Sequence, residues 1–336
     1  MGDHTDYTRG LVMPIAINMG ITVTFYPENS ATLYVTSSKY QEEVVIPLGG
    51  EKPALAELMS FPKKKWERYV MGVLAVLNNR VGGKVYIESD LPVGAGLSSS
   101  ASLEVGVALA LGYSKSKKEL ALACQQAEHL ATGVPCGIMD QMASVFGKTD
   151  QALLINCYNL EVSYIELPSN IEILVVHSGQ DRKLENVNYT QRYEECKRAE
   201  AIIGPLNKAG VEDLKSIKDP TIKKRARHVI TENARVLETA KQFSKQNLAS
   251  LGKLFKESHI SLDQDYQVST DAVNDLVYTL EKIPGVIGVR LTGGGFGGCV
   301  VAIVEKSEFS FSAIPHNYSK NAWIVKPSSG AELRER

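Results

Sequence analysis

The chain has 336 residues, 44% hydrophobic and 22% charged. That is an ordinary globular composition, and at roughly 100–200 residues per domain it leaves room for about two domains. Lys+Arg is 37 and Asp+Glu is 38, giving a net charge of −1, which excludes a broad nucleic-acid-binding surface or a polybasic membrane face. The five cysteines, Cys124, Cys136, Cys157, Cys196 and Cys299, show neither Cys-x-x-Cys nor zinc-ligand spacing, so reduced thiols in a cytoplasmic protein are expected. No apolar run approaches the ~20 residues of a membrane span, and Asp3, His4 and Asp6 stand where a signal peptide would be basic and then apolar.

In chain order, residues 11–26 and 31–37 are rich in Val, Ile, Thr and Tyr and read as strands, separated by the turn Pro27-Glu28-Asn29-Ser30. Trp66, Tyr69, Val70, Val73, Leu74 and Leu77 recur at helical spacing. A short strand at 85–87 leads to the loop 91–97, and Ser98-Ser99-Ser100 opens a small-residue helix that runs to about Leu111. Helices are predicted at 117–131 and 138–145, and strands at 152–156, 162–167 and 173–177. Four charged amphipathic helices fill 183–282, apolar β-branched strands occupy 286–292 and 299–304, and a last short strand spans 323–325. The composition shift near 160–170 predicts the domain boundary.

Three segments stand out chemically. Pro92-Val-Gly-Ala-Gly-Leu-Ser-Ser-Ser-Ala-Ser102 joins glycines, which let the backbone approach an anion, to a helix start whose free N–H groups and dipole favour negative charge. A serine cap after a glycine turn is the plain alternative. Leu291-Thr-Gly-Gly-Gly-Phe-Gly-Gly298 contains Gly-x-Gly-x-x-Gly, but a strand follows it, so a dinucleotide fingerprint fails on context. What remains is a glycine hairpin, or a glycine loop pressed against the phosphate side of a site. The opening run Asp3-His4-Thr5-Asp6 can bind a polyol through several hydrogen bonds, hold a metal, or be a solvated loop. Termini are usually forgiving, and one this dense in polar groups reads as part of a site.

Together these segments resemble the GHMP small-molecule kinases. Gly2-Asp-His-Thr-Asp-Tyr7 is similar to a sugar-kinase signature of that family, Gly-Glu/Asp-His-Thr-Asp-Tyr, and Gly10 to Asn18 follow it as they do there. Residues 92–102 resemble the family's phosphate loop, Pro135-Cys-Gly-Ile-Met-Asp-Gln141 its catalytic segment, and residues 291–298 its third glycine motif. Trp66-x-x-Tyr69-Val70 and Cys124-Gln-Gln-Ala-Glu-His129 also agree. The resemblance covers essentially the whole chain in order.

The resemblance implies an α+β, two-domain GHMP kinase fold: a ribosomal protein S5 domain 2-like part over residues 1–165 and a ferredoxin-like part over 166–336. It implies ATP-dependent phosphorylation of the C1 hydroxyl of galactose, with Mg²⁺ as metal, in a monomer or weak oligomer. Asp140 then takes the place of the catalytic carboxylate, as base or as orienting group. Ser100 and Glu128 take those of the magnesium ligands, hard oxygens of the kind Mg²⁺ prefers. Gly94, Ala95, Gly96, Leu97, Ser98, Ser99 and Ser100 would cradle phosphates. Asp3, His4, Thr5, Asp6 and Tyr189 resemble the sugar-binding residues. Trp66, Tyr69 and Ser37 fall on the adenine and ribose side; the plain alternatives are core residues for the two aromatics, an ordinary helical tyrosine for Tyr189 and a helix cap for Asp140.

Two departures follow from the resemblance. The family's terminal motif is preceded by a strand carrying an arginine that belongs beside the catalytic carboxylate. Met1 matches the residue just before Gly2, so Met1 is expected to be an internal methionine of the natural protein and residues 1–336 alone to turn over poorly. Asp3 replaces the commoner Glu, which shortens one sugar contact by a methylene. The competing readings are a related 1-kinase acting on galacturonate, arabinose or N-acetylgalactosamine, and a galactose- and ATP-binding homologue without turnover. Ser100-Ala101 favours catalysis over the latter.

Overall fold

The computed structural model describes residues 1–48, 65–78, 81–92, 96–181 and 185–334. The contacts divide the chain into two compact units that are interleaved along the sequence. The first unit comprises residues 1–18, 92–97 and 148–328, and the second comprises 19–91, 98–147 and 329–336. A single cut at 165/166 follows the change in composition, whereas the units follow strand pairing. The strands at 151–156 and 161–166 belong with residues 11–12, because β1 (Leu11–Val12) pairs antiparallel with β6 (Gln151–Asn156), which pairs with β7 (Glu161–Glu166).

In the second unit, β2 (Ile21–Pro27), β3 (Thr32–Ser37), β4 (Tyr40–Pro47) and β5 (Gly83–Ser89) form a sheet in the order β2-β5-β3-β4. Strand β5 is buried at alternate residues, with Val85 and Ile87 inward and Lys84, Tyr86 and Glu88 outward, the period of a half-buried strand. The helices are α1 (Lys65–Leu77), α2 (Ser99–Ala110), α3 (Lys117–Thr132) and α4 (Met139–Phe146). Helix α2 is small and apolar on most sides, and it is buried accordingly against β2, α1, α3 and α4. Helix α3 begins with a capping box, in which Ser116 and Glu119 satisfy each other's backbone N–H. Gly72 lets α1 approach α3 closely, since a Cβ there would lie 2.4 Å from the Ala127 carbonyl oxygen.

In the first unit, β8 (Ile171–His177), β9 (Val286–Leu291), β10 (Cys299–Glu305) and β11 (Ala322–Val325) form an antiparallel sheet ordered β11-β8-β10-β9. The final strand thus returns to this sheet. Helices α5 (Glu185–Ile203), α6 (Pro220–Ser244), α7 (Leu248–Gln264) and α8 (Asp271–Leu280) fill 185–280, and a short α9 (His316–Ser319) precedes β11. Sheet residues Leu174, Val289 and Val300 share one core with Val229, Leu262 and Leu276 of the helices. Helix α6 starts at Asp219, whose carboxylate accepts from the N–H groups of Thr221 and Ile222, with Pro220 in the first turn.

Two sequence expectations change. Residues 11–26 are two strands separated by 13–20, where Pro14 supplies no N–H for a ladder. Strand β4 leaves no strand signal in the sequence, because Gln41-Glu42-Glu43 interrupts its apolar pattern; it is an edge strand, where charge is tolerated.

Candidate active site

The opening residues of the first unit fold into a tight turn held from behind. Gly2 has φ +89° and a Cβ there would sit 2.6 Å from the Leu11 carbonyl oxygen, so only glycine fits. His4 (φ 65°) and Arg9 (φ 60°) are also left-handed, a conformation that costs free energy in non-glycine residues and needs support from its surroundings. That support is visible. The Thr5 hydroxyl lies 2.8 Å from the Gly2 carbonyl oxygen and 2.7 Å from that of Leu11, Thr8 Oγ1 donates to the Thr5 carbonyl, and Asp6–Thr8 form a 3-10 turn. From α6, Glu232 accepts the Gly2 N–H at 3.0 Å and Asn233 accepts the Leu11 N–H at 2.7 Å.

Asp3 is 3% exposed. One carboxylate oxygen pairs with the buried Arg290 of β9, and the other accepts the Gly293 N–H at 2.6 Å. Burial works to raise the Asp3 pKa, but the Arg290 guanidinium overrides it and the net shift is downward. Glu232 behaves likewise. It is fully buried, bonded by Arg235 and Ser258, and held well below the usual carboxylate range by Arg290 and Arg235 against its desolvation. His228 lies one turn before Glu232 on the same face of α6. Its Nε2 faces the Asp3 carbonyl at 3.1 Å and its Nδ1 the Ser261 hydroxyl at 2.9 Å.

His4 is 3% exposed, and burial lowers its pKa to about 3; burial lowers that of His228 to about 4. Both are neutral at pH 7. His4 Nε2 faces the Gly294 carbonyl at 3.1 Å. A carbonyl only accepts, so Nε2 carries the proton and Nδ1 accepts from the Tyr7 hydroxyl at 3.0 Å. The Tyr7 oxygen in turn meets the Tyr266 hydroxyl, which meets Cys196 Sγ at 3.2 Å. The chain of donors therefore runs in one direction, from Cys196 through Tyr266 and Tyr7 to His4 and the glycine loop. The Tyr189 ring lies 5.2 Å from that of His4 and 5.3 Å from that of Tyr7.

The structure thus brings all five predicted sugar residues into one cluster, but with different exposures. Asp3, His4 and Thr5 are buried and bonded to the protein, while Asp6 and Tyr189 are half-buried. Bonds of the 292–298 glycine loop run to this turn (Gly293 to Asp3, Gly294 to His4), to Val268 and Gln180, and to Ser178 and Cys299 of the flanking strands' ends.

Of the other candidates, residues 94–97 belong to the first unit, and Ser98 to Ser100, Glu128, Asp140, Ser37, Trp66 and Tyr69 to the second. Gly94 and Ala95 lie outside the described residues. Gly96 has φ +69°. Ser98 stands at the N-cap of α2 in the left-handed region (φ 55°, ψ 40°), and its side chain caps nothing, so the ordinary capping role expected of a lone serine is absent. Ser99 is exposed, Leu97 and Ser100 are half-buried, and the last two serines open the helix.

Asp140 sits in the first turn of α4 and is half-buried. The next residue, Gln141, is fully buried, and its amide nitrogen donates to Glu128 Oε2 at 2.6 Å and to Glu104 Oε2 at 3.2 Å. The Cys136 thiol also reaches Glu128 Oε2, at 3.5 Å. Its carbonyl accepts from Gln125 and His129, which ties the loop before α4 to α3. Glu104 is fully buried, and desolvation, followed by the Glu128 and Asp140 carboxylates, raises its pKa to about 10; it is a neutral acid at pH 7. Ser100 lies one turn before Glu104 on α2, and Glu128 is on α3. Among the described residues no group of three or more His, Cys, Asp or Glu could hold a metal ion. A hydroxyl and a carboxylate nevertheless suit Mg²⁺, which takes one or two carboxylates and completes its shell with phosphate and water.

Trp66 stacks on Tyr40, with centroids 5.6 Å apart and planes 12° apart, and its buried Nε1 has no hydrogen-bond partner. Ser37 pairs with Tyr40 across the β3–β4 hairpin, so Ser37 and Trp66 flank one tyrosine. Tyr69, one turn on in α1, is half-buried.

Sequence reasoning missed Arg290, Glu232, Tyr266 and Glu104. Two had a signal: Arg290 is the lone charge in Val286–Leu291, and Glu104 the lone charge in Ser99–Ala110.

Residues 68–148 match the family model of the GHMP kinases N terminal domain, and residues 239–314 that of the GHMP kinases C terminal domain. The chain belongs to the GHMP kinase family, and its two-part fold is that of these phosphotransferases. Within the family it groups with the galactokinases, since residues 1–27 match the galactokinase galactose-binding signature. The solved structure of Lactococcus lactis galactokinase complexed with galactose is similar over 98% of this chain and 91% of that one, at 29% identity and TM-score 0.88. The L. major mevalonate kinase in complex with R-mevalonate (18% identity, 97% and 93% coverage, TM-score 0.66) and the Methanococcus jannaschii mevalonate kinase (18%, 91% and 88%, 0.58) share the fold. Among the described residues no helix is long and apolar enough to cross a membrane.

Proposed function

We propose that the chain transfers the γ-phosphoryl group of ATP to the C1 hydroxyl of galactose, giving galactose 1-phosphate and ADP. The observation that carries this reading is the galactose-binding signature folded as a supported polar turn. The C1 oxygen forms a bond to the γ-phosphorus, the bond from that phosphorus to the bridging oxygen of ADP breaks, and the hydroxyl proton leaves. Asp140 is the group that takes this proton or orients the hydroxyl; either role needs it ionised. Asp6 and Tyr189 are the proposed direct sugar contacts. Asp3, His4 and Thr5 hold the turn that presents Asp6, while Tyr189 comes from α5. Gly94 to Ser100 cradle the phosphates with backbone N–H groups, and Trp66, Tyr69 and Ser37 serve the nucleoside. Ser100 and Glu128 would hold Mg²⁺, which neutralises charge on the transferring phosphate when bound. The reading includes a cytoplasmic setting, supported by five cysteines that are all free thiols, and a monomer or weak oligomer.

The test is an ADP-release assay with galactose, galacturonate, arabinose and N-acetylgalactosamine. Release should be fastest with galactose. A faster alternative sugar overturns the specificity, and saturable binding of ATP and galactose with no ADP formed overturns the enzyme. Asp140→Asn should lower kcat by roughly 10²–10⁴ and leave galactose affinity unchanged.

A further inference from the structure

The Gln141 amide has two N–H bonds, and both are committed to carboxyl groups from different helices: Glu128 of α3 at 2.6 Å and Glu104 of α2 at 3.2 Å. Gln141 and Glu104 are both completely buried. The remaining oxygens, Gln141 Oε1 and Glu104 Oε1, are also buried and have no hydrogen-bond partner, although buried polar oxygens are nearly always satisfied. One proton on Glu104 would serve both, since a carboxylic acid and an amide can pair through N–H to O and O–H to O together. The pair joins three helices of one unit, and what it grips is a single oxygen of Glu128.

We infer that Gln141 is a positioning residue for the cation ligand: it pins Glu128 Oε2 so that the other carboxylate oxygen faces the metal, and Glu104 is the buried anchor that keeps the Gln141 amide in place. The inference rests on the reading of Glu128 as a magnesium ligand. Groups that hold a metal ligand in this way are commonly worth 10–100-fold in metal affinity. A ligand fixed in advance also loses less conformational freedom when the ion arrives. Without Gln141, Glu128 Oε2 keeps the Cys136 thiol at 3.5 Å, and a thiol is a weak donor.

The probe is manganese(II) titrated into the full chain with ADP and followed by the electron paramagnetic resonance of free manganese. Glu128→Gln should weaken manganese binding, and if it does not, the ligand reading itself fails. Gln141→Met, similar in length but without the amide, should raise the manganese Kd about tenfold or more. In the ADP-release assay it should raise the Mg²⁺ concentration for half-maximal rate much more than it lowers kcat, with the KM for galactose unchanged. Glu104→Gln, which keeps a donor and an acceptor, should weaken manganese less than Glu104→Leu. A purely structural role would lower the thermal midpoint of Gln141→Met and leave its manganese Kd at the wild-type value. That outcome, with Glu128→Gln impaired, overturns the inference. If Gln141→Met fails to fold, Gln141→Asn, which keeps the amide one methylene short, takes its place under the same criteria.

Discussion

Asp3 and Glu232 in the first unit and Glu104 in the second are all buried carboxyl groups, yet the protein treats them in opposite ways. Arg290 reaches Asp3 directly and Glu232 at 4.0 Å, Arg235 reaches Glu232, and both acids stay ionised. Around Glu104, among the described residues, the groups that set its charge are two carboxylates and an amide, and it takes up a proton instead. Burial is the same; the presence of a guanidinium decides the outcome. The first arrangement makes a stiff polar turn suited to a neutral polyol. The second lowers the negative charge beside the Glu128 and Asp140 carboxylates.

The largest expected effect comes from removing the guanidinium. Arg290→Met leaves Asp3 and Glu232 buried with their main counter-charge gone and should cost about 3–5 kcal/mol, measured by urea unfolding followed at Trp323. A loss below about 1 kcal/mol would show that the pairing is not what holds the turn. Acidity should then separate the two regions. His4 and His228 have folded pKa values of about 3 and about 4 against 6.5 for the free side chain. Between pH 6.5 and those values the unfolded chain binds more protons, so stability falls on acidification, by about 1.4 kcal/mol per pH unit for each histidine. Glu104 is raised from 4.5 to about 10, so its contribution is complete below pH 4.5 and is lost as pH rises towards 10. Hydrogen exchange read separately should show residues 2–12 loosening in acid and α2 loosening in alkali; the same direction at both places would erase the contrast.

Smaller changes sharpen it. Tyr7→Phe interrupts the donor chain, leaving His4 Nδ1 without its donor and the Tyr266 hydroxyl without the oxygen it donates to, and should cost about 1–3 kcal/mol and weaken galactose binding as judged by calorimetry. Ser116→Ala removes the capping box of α3 in the other unit. It should lower the thermal stability by about 1 kcal/mol and leave the KM for galactose unchanged.

What could be read in advance depended on distance along the chain. Asp3, His4, Thr5 and Asp6 are neighbours in sequence, so their chemistry was legible as a cluster, and the strand after the 291–298 glycines was enough to reject a dinucleotide site. The supports of that cluster were not legible. Arg290 and Glu232 lie more than 200 residues from the turn they hold, and no local periodicity marks such a contact. The same holds for the interleaved units. Composition changes where the charged helices begin, but β6 and β7 precede that change and pair with residues 11–12. The left-handed Ser98 was hidden for a different reason, since a serine before a helix has the same letters whether it caps or is turned towards a ligand.

The bonds between the opening turn and residues 290–294 also have a temporal consequence. The turn's partners lie at His228, Glu232, Arg290, Gly293 and Gly294, so the turn cannot settle until most of the chain has been made. Residues 19–91 and 98–147 supply most of the second unit, and that unit can condense while the opening turn is still waiting for its arginine. Contacts of such separation are slow to form, so the turn that matches the galactose-binding signature is among the last parts to be completed.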